Sequence, residues 1–315
     1  HVRSRRQRQM CIRDRYATLT ANIINIVLNY FLIFGFWIFP KMGVEGAALG
    51  TLISRIAMLV FMGLYVRYNK RFISFAQNIV FKKPNWNLFK RIIRLGFPSA
   101  LQMFFEVVFF TAAIWLSGFL GKNPQAANQI ALNLSSMTFM FAMGLGVTAM
   151  IRVGNQKGKN HYKALKRIAY SIFLLMFIFD ALFCLFFLLT NNYLPWIYLD
   201  GSNPNQISDV TEVVKIASTL LIVSAFFQIS DGIQAVVLGA LRGLQDVNIP
   251  AFITFFAYGI FGLPISFYLG LHTPLGVTGI WIGLLSGLTT SAILLLIRFN
   301  YMTQKLILNN SNGTT

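Results

Sequence analysis

The sequence predicts an all-α, polytopic membrane protein: a helical bundle of eight transmembrane helices, two followed by six. Three observations carry that expectation. Of 315 residues, 56% are hydrophobic and 11% charged, with a mean hydropathy of +0.62, more apolar surface than a soluble core of this length buries. The apolar residues fall into runs long enough to cross about 30 Å of hydrocarbon at about 1.5 Å per residue. Lysine and arginine gather between those runs, as in the loops of one compartment. Lipid offers no water to unpaired backbone groups, and the runs are too long and too uniformly apolar for barrel strands, so helices are the expected spanning element.

Taken in order, residues 1–15, HVRSRRQRQMCIRDR, lack an initiator Met and an apolar core, so they are not a secretory signal. They resemble translated adaptor read-through and read as a non-native leader, with a basic cytoplasmic tail as the alternative. Residues 16–66 hold two spans, 16–37 and 46–66, the last two helices of a first lobe. Residues 67–95 form a basic linker, with eight Lys and Arg between 67 and 94. Residues 96–300 hold six spans: 96–118, 126–151, 168–190, 213–241, 250–271 and 277–298. The connection 152–167 carries six further bases, and residues 301–315 are a tail. The alternate connections hold almost none, with Lys41, Lys122 and Lys215 one apiece. The positive-inside rule therefore places the basic loops and the C-terminus in the cytoplasm. Trp37, Trp115, Trp196 and Trp281 then fall toward the outer interface, as an aromatic belt.

Residues 42–54, MGVEGAALGTLIS, and 275–287, LGVTGIWIGLLSG, share Gly, Val, Gly, Gly and Leu without a gap, 233 positions apart. Both open on the same side, into helices of the same direction, which is the signature of parallel repeats related by an axis along the membrane normal. The second copy closes a six-helix block. The first is expected to close one too, so a transporter of twelve helices in two lobes is implied, four of them upstream of residue 1.

Neither Cys11 and Cys184 nor His1, His161 and His272 have the number or spacing of a disulfide framework or a metal site. The net charge of +18 is spread over loops and gives no nucleic-acid surface. No resident cofactor is expected. The informative charges lie inside the spans. Glu106 is 12 residues from Arg94, Asp180 is 13 from Arg167 and Asp231 is 11 from Arg242, roughly 17–20 Å deep. Arg55 lies at similar depth. A charge there costs at least about 2.5 kcal/mol, so each must face the bundle interior. A carboxyl held in hydrocarbon can exchange a proton, or trade it for a metal cation, near neutral pH. Glu106 and Asp231 are thus candidates for a proton or transient Na⁺ site. Asp180, in FIFDALF, has no polar neighbour in the sequence. The alternative role for Arg55 is a structural pair with one of the acids.

Polar amides extend the candidate set. Asn25 and Asn29 are an i, i+4 pair, and Asn128 and Asn133 come near one side of their helix beside Gln129. They could ligate a cation or substrate, or bond between helices for about 0.6 kcal/mol each. The small residues of GLGVTA and GAALGT suit close helix contact. Phe104, Phe105, Phe109 and Phe139 could give apolar and cation–π contacts or plain packing.

Read together, LGFPSALQMFFEVVFF, AANQIALNLSSMTFMFAMGLGVTAMIRVGNQKG, FQISDGIQAVVLGALRGLQD and GLPISFYLGLHTPLGVTGIWIGLL closely resemble the C-terminal lobe of the multidrug and toxic compound extrusion family, in its NorM-like bacterial branch. NIINIVLNYFLIFG and GVEGAALGT resemble helices five and six of its N-terminal lobe. The resemblance covers residues 16 to about 305. It implies Na⁺- or H⁺-coupled export of cationic, amphipathic compounds by a bacterial inner-membrane protein, monomeric when full length. The family's essential glutamate falls on Glu106 and its tenth-helix aspartate on Asp231. A tyrosine one turn before that aspartate is here Phe227, which removes a hydroxyl ligand. The N-lobe amide pair falls on Asn25 and Asn29, and a threonine on Thr51.

Two other classes compete with a coupled exporter. A lipid-linked oligosaccharide flippase of the same superfamily needs a strongly cationic cavity, whereas Arg55 alone reads as a buried base. A membrane-embedded enzyme needs a nucleophile with its base, or metal ligands, within the spans; no His lies in one, and the neighbours of Cys184 are apolar.

Overall fold

The computed structural model describes residues 19–35, 40–68, 86–199 and 207–312. The chain divides into two units, residues 1–84 and 85–315. In the first, α1 (Leu19–Phe34) and α2 (Val44–Tyr68) form a hairpin. In the second, the helices are α3 (Trp86–Phe119), α4 (Lys122–Gly158), α5 (Tyr162–Thr190), α6 (Ile207–Gly243), α7 (Asn248–Leu271) and α8 (Val277–Asn312). A short turn, Leu194–Ile197, follows α5. The middle of α7, Ala257–Gly262, widens into a π-helical turn. Seven of these eight helices are long and apolar enough to cross a membrane; α1 is shorter over its described residues.

The helices overrun the expected spans on the basic side. Residues 86–95, expected as the end of the linker, are the first turns of α3, which runs on through Pro98. The connection expected at 152–167 shrinks to Lys159–His161, because α4 continues to Gly158 and α5 begins at Tyr162. The tail is helical as far as Asn312. Charge ends a hydrophobic span but does not end a helix, since Lys, Arg, Gln and Leu are good helix formers. The rest of the linker, residues 69–85, the leader and Trp37 lie outside the described residues.

Helix α6 is the axis of the second unit, packed against α4, α5 and α8. Its approach to α4 is backbone to backbone. A Cβ on Gly239 would strike Gly146 O, and one on Gly243 would lie 2.6 Å from Met150 O. Small residues at four-residue spacing permit that contact.

The opening repeat is a structural one. Gly43 and Gly276 both turn the chain with positive φ, +55° and +52°, which glycine alone adopts at little cost. Gly46 faces the carbonyl and Cβ of Leu32, and Gly279 faces the same atoms of Leu269. Gly50 faces Asn29 where Gly283 faces Ser266. The amide of Ala47 bonds Gly43 O (3.2 Å) as that of Ile280 bonds Gly276 O (3.3 Å).

Two apolar cores occupy the second unit. One gathers Phe109, Leu134, Cys184, Phe227, Trp281 and Leu288, and the other Ala142, Met176, Val236, Leu241, Leu295 and Phe299. Between them along the chain lies a buried polar layer: Ser135 and Thr138 on α4, Asp180 on α5, Gln228, Asp231 and Gln234 on α6, and Ser291 on α8.

Candidate functional site

Glu106 on α3 and Asp231 on α6 line one cavity of about 350 Å³. Phe110, Thr111, Ser135, Ser136, Phe139 and Phe227 are among its other walls. Met103, Phe104, Val107 and Val108 are exposed on α3, and Ile222 and Phe226 on α6, so an acid on either helix costs least on the inward face. Neither has an ion-pair partner among the described residues, where Arg298 and Asp246, at 2.8 Å, form the one salt bridge. The hydroxyls of Thr111, Ser135 and Ser136 supply further oxygens, so the cavity could hold a cation without a third carboxylate. Ser135 Oγ is tied to Ser224 Oγ at 2.7 Å.

Phe227 is buried and packs edge-on against Trp281 (5.3 Å) and Phe110 (6.0 Å). Trp281, expected at the outer interface, is instead sealed in the first core with 0% exposure. Its indole N–H donates to Asn128 Oδ1 at 2.9 Å, and Asn128 Nδ2 donates to Ser117 Oγ at 3.2 Å. A buried donor needs an acceptor, and Asn128 supplies it. Trp115 and Trp196 are exposed.

Asn128 therefore serves the core, and it does not share a face with Asn133. Five residues of α-helix turn by about 140° beyond a full revolution, which leaves Asn133 and Gln129 exposed and outside the cavity. Of the phenylalanines, Phe139 lines the cavity, Phe109 stacks on Tyr258 at 4.6 Å, Phe105 meets Phe255 at 4.8 Å, and Phe104 is 59% exposed.

Asp180 has a polar neighbourhood that its local sequence conceals. It is 1% exposed and lies against Gly232, where an added Cβ would meet both carboxyl oxygens and, at 2.7 Å, Met176 Cε. Asp231 is the next residue, and its carboxylate interacts electrostatically with Asp180 and Glu106. Three acids on three helices thus form a connected series.

Within the same unit, the base beside Glu106 is Arg242. Arg242 is partly buried, interacts electrostatically with Glu106, and donates from Nη2 to Gln102 Oε1 at 2.9 Å. It also lines a second cavity of about 850 Å³, which shares the walls Met103 and Val107 with the first. Arg55, in the other unit, is exposed and forms no ion pair among the described residues. In the sequence Arg242 reads as a boundary marker because it ends an apolar run; its long side chain turns back toward the interior.

In the first unit, Asn25, Asn29 and Thr51 come together. Asn25 Nδ2 donates to Thr51 Oγ1 (3.4 Å) and Ser54 Oγ (3.3 Å), and Asn29 Nδ2 donates to Asn25 Oδ1 (3.3 Å). Sequence reasoning did not find Gln234 and Tyr258, which hydrogen-bond each other across α6 and α7. The cue was the Gly259 and Gly262 pair around Tyr258, which marks the irregular turn.

Against known proteins, the family model described as MatE matches residues 98–268. A "Probable multidrug resistance protein NorM" of Agrobacterium fabrum is 33% identical over 284 residues, covering 90% of this chain and 60% of that protein. "Multidrug resistance protein MdtK" of Photorhabdus laumondii is 35% identical over 287 residues, with 90% and 61% covered. The chain thus spans about three-fifths of the length of the curated relatives it matches. Among solved structures, "Crystal structure of eukaryotic MATE transporter AtDTX14" superposes with a TM-score of 0.78 at 23% identity, covering 92% of this chain and 63% of that one. A Pyrococcus furiosus protein, described as a MOP superfamily transporter whose "reverse polarity of binding pocket suggests different function", superposes at 0.79 and 18% identity, with 92% and 62% covered.

Proposed function

This chain belongs to the MatE family, and from that premise we propose that it contributes six helices of one lobe and two of the other to a secondary transporter. The transporter exports cationic, amphipathic organic molecules in exchange for Na⁺ or H⁺. The observation that carries the reading is the shared cavity of Glu106 and Asp231, two acids from different helices that form no ion pair among the described residues. An acidic, mainly apolar cavity selects a soft organic cation: the carboxylates supply charge, and Phe110, Phe139 and Phe227 supply apolar and π surface. The adjoining larger cavity gives such a molecule room.

The exchange follows from competition. Ionised Glu106 and Asp231 hold the organic cation; a proton or Na⁺ arriving from outside takes the same oxygens, and the organic cation leaves. Rocking of two lobes about the site would alternate its access. In this reading the protein is a multi-pass protein of the bacterial inner membrane, acting as a monomer, with its basic loops cytoplasmic. The test is tetraphenylphosphonium uptake into everted vesicles under imposed Na⁺ or pH gradients, together with equilibrium binding of the same cation. Glu106→Gln and Asp231→Asn are each expected to abolish gradient-driven uptake and to weaken binding at least tenfold. Full uptake by either variant sinks the assignment.

A further inference from the structure

The polar layer between the two apolar cores holds more unpartnered atoms than the cavity explains. Among the described residues, Asp180 Oδ2, both amide atoms of Gln228 and Gln234 Oε1 have no hydrogen-bond partner, and all three residues are at most 3% exposed. Buried polar atoms without partners cost about 1–3 kcal/mol each, and an isolated buried carboxylate far more. Asp180 is the extreme case, with no ion pair and an oxygen turned to the Gly232 backbone, one residue from a cavity acid.

We propose that Asp180 is a proton-holding carboxyl of this protein, coupled to the Glu106–Asp231 cavity through the contact at Gly232. The ligand is a proton and not a metal ion, because hard cations take several oxygen ligands, and among the described residues no group of three or more His, Cys, Asp or Glu stands together to hold one. A proton needs only the carboxyl oxygen itself. It enters from water in the cavity by way of Asp231 and leaves by the same route; only O–H bonds form and break. The elements packed around α5 bring Gly232 against it, and the preceding residue, Asp231, interacts electrostatically with both Glu106 and Asp180. They otherwise present the hydroxyls of Ser135, Thr138 and Ser291 and the Gln234–Tyr258 pair. Cys184 stands one turn along α5 itself. Of the bases on those helices, Arg242 interacts electrostatically with Glu106, Arg298 is paired with Asp246, and Lys157 donates to Leu244 O. A cation bound at Asp231 and a proton held at Asp180 therefore act on one another within a single layer.

This rests on the cavity reading above but is separable from it. The experiment is pH-difference infrared spectroscopy of the 315-residue chain in lipid nanodiscs. The protonated-carboxyl C=O absorbance is expected to lose one component in Asp180→Asn, and that component's pH midpoint to move by about one unit in Asp231→Asn, the size expected of directly coupled sites. Should Asp180→Asn fail to fold, Gly232→Ala, whose methyl meets both carboxyl oxygens, is expected to move that component's frequency. A protonated-carboxyl absorbance undiminished in folded Asp180→Asn, or unmoved in every component by Gly232→Ala, overturns the proposal. Loss of that component in Asp180→Asn, in a chain that does not bind tetraphenylphosphonium, upholds the proton site and overturns the exporter reading.

Discussion

Replacing Gly239 by alanine puts a methyl group where α4 already stands. The new Cβ would strike Gly146 O and lie 2.7 Å from its carbonyl carbon and 2.9 Å from its Cα, against about 3.5–4.0 Å for an ordinary carbon contact. Both sides of the clash are backbone, so no rotamer change relieves it and the helices must part by about 1 Å. Overpacking of this kind costs about 1–3 kcal/mol, offset by up to about 1 kcal/mol from the better helix propensity of alanine. Gly144, two residues away on α4, has open space around its Cα, so Gly144→Ala collects the propensity gain alone. The propensity gain cancels between the two variants, which are expected to differ by about 1–3 kcal/mol, or roughly 2–12 °C in unfolding midpoint for a unit of this size. The assay is thermal exposure of Cys184, buried and free, to a thiol-reactive dye in a Cys11→Ser background. Equal midpoints for Gly239→Ala and Gly144→Ala would refute backbone-to-backbone packing of α4 on α6.

Two further outcomes are expected. Asn128→Ala strands the Trp281 indole N–H in the first core and should lower stability by about 1–3 kcal/mol. A cycle with Trp281→Phe should return a coupling of about 0.6–1.7 kcal/mol, and additive losses would remove that hydrogen bond from the account. Arg242→Met removes the positive charge that Glu106 feels. Tetraphenylphosphonium binding to the chain in nanodiscs should tighten several-fold, on the order of 1 kcal/mol; an unchanged isotherm would mean that Arg242 acts only on Gln102.

The sequence shows clearly what hydropathy and period can carry. Glu106 and Asp231 stand deep inside apolar runs, so an inward position for both followed from the cost of a charge in lipid. The Gly43 and Gly276 motifs could be aligned by eye because their spacing is set by a turn and a crossing, both of which restrict side-chain size. Contacts between distant segments were not legible. Asp180 sits in an apolar run and gains its neighbours only from Gly232, 52 positions on. Trp281 has the composition of an interfacial tryptophan, and only the fold brings Asn128 to its indole. Asn133 was grouped with Asn128 by proximity along the chain, where the helical turn separates them. Helix ends were misjudged wherever basic residues followed an apolar run, because the edge of hydrocarbon and the end of a helix are set by different physics.

Helix α3 has 34 residues, about 51 Å of rod against about 30 Å of hydrocarbon. A stretch comparable to two-thirds of the bilayer core therefore stands in water as a rigid stem, bearing Lys90, Arg91 and Arg94. The same rod carries Glu106 farther along. Pro98 stands between stem and acid and deprives the helix of one backbone donor, so force applied to the stem reaches Glu106 through that weakened turn.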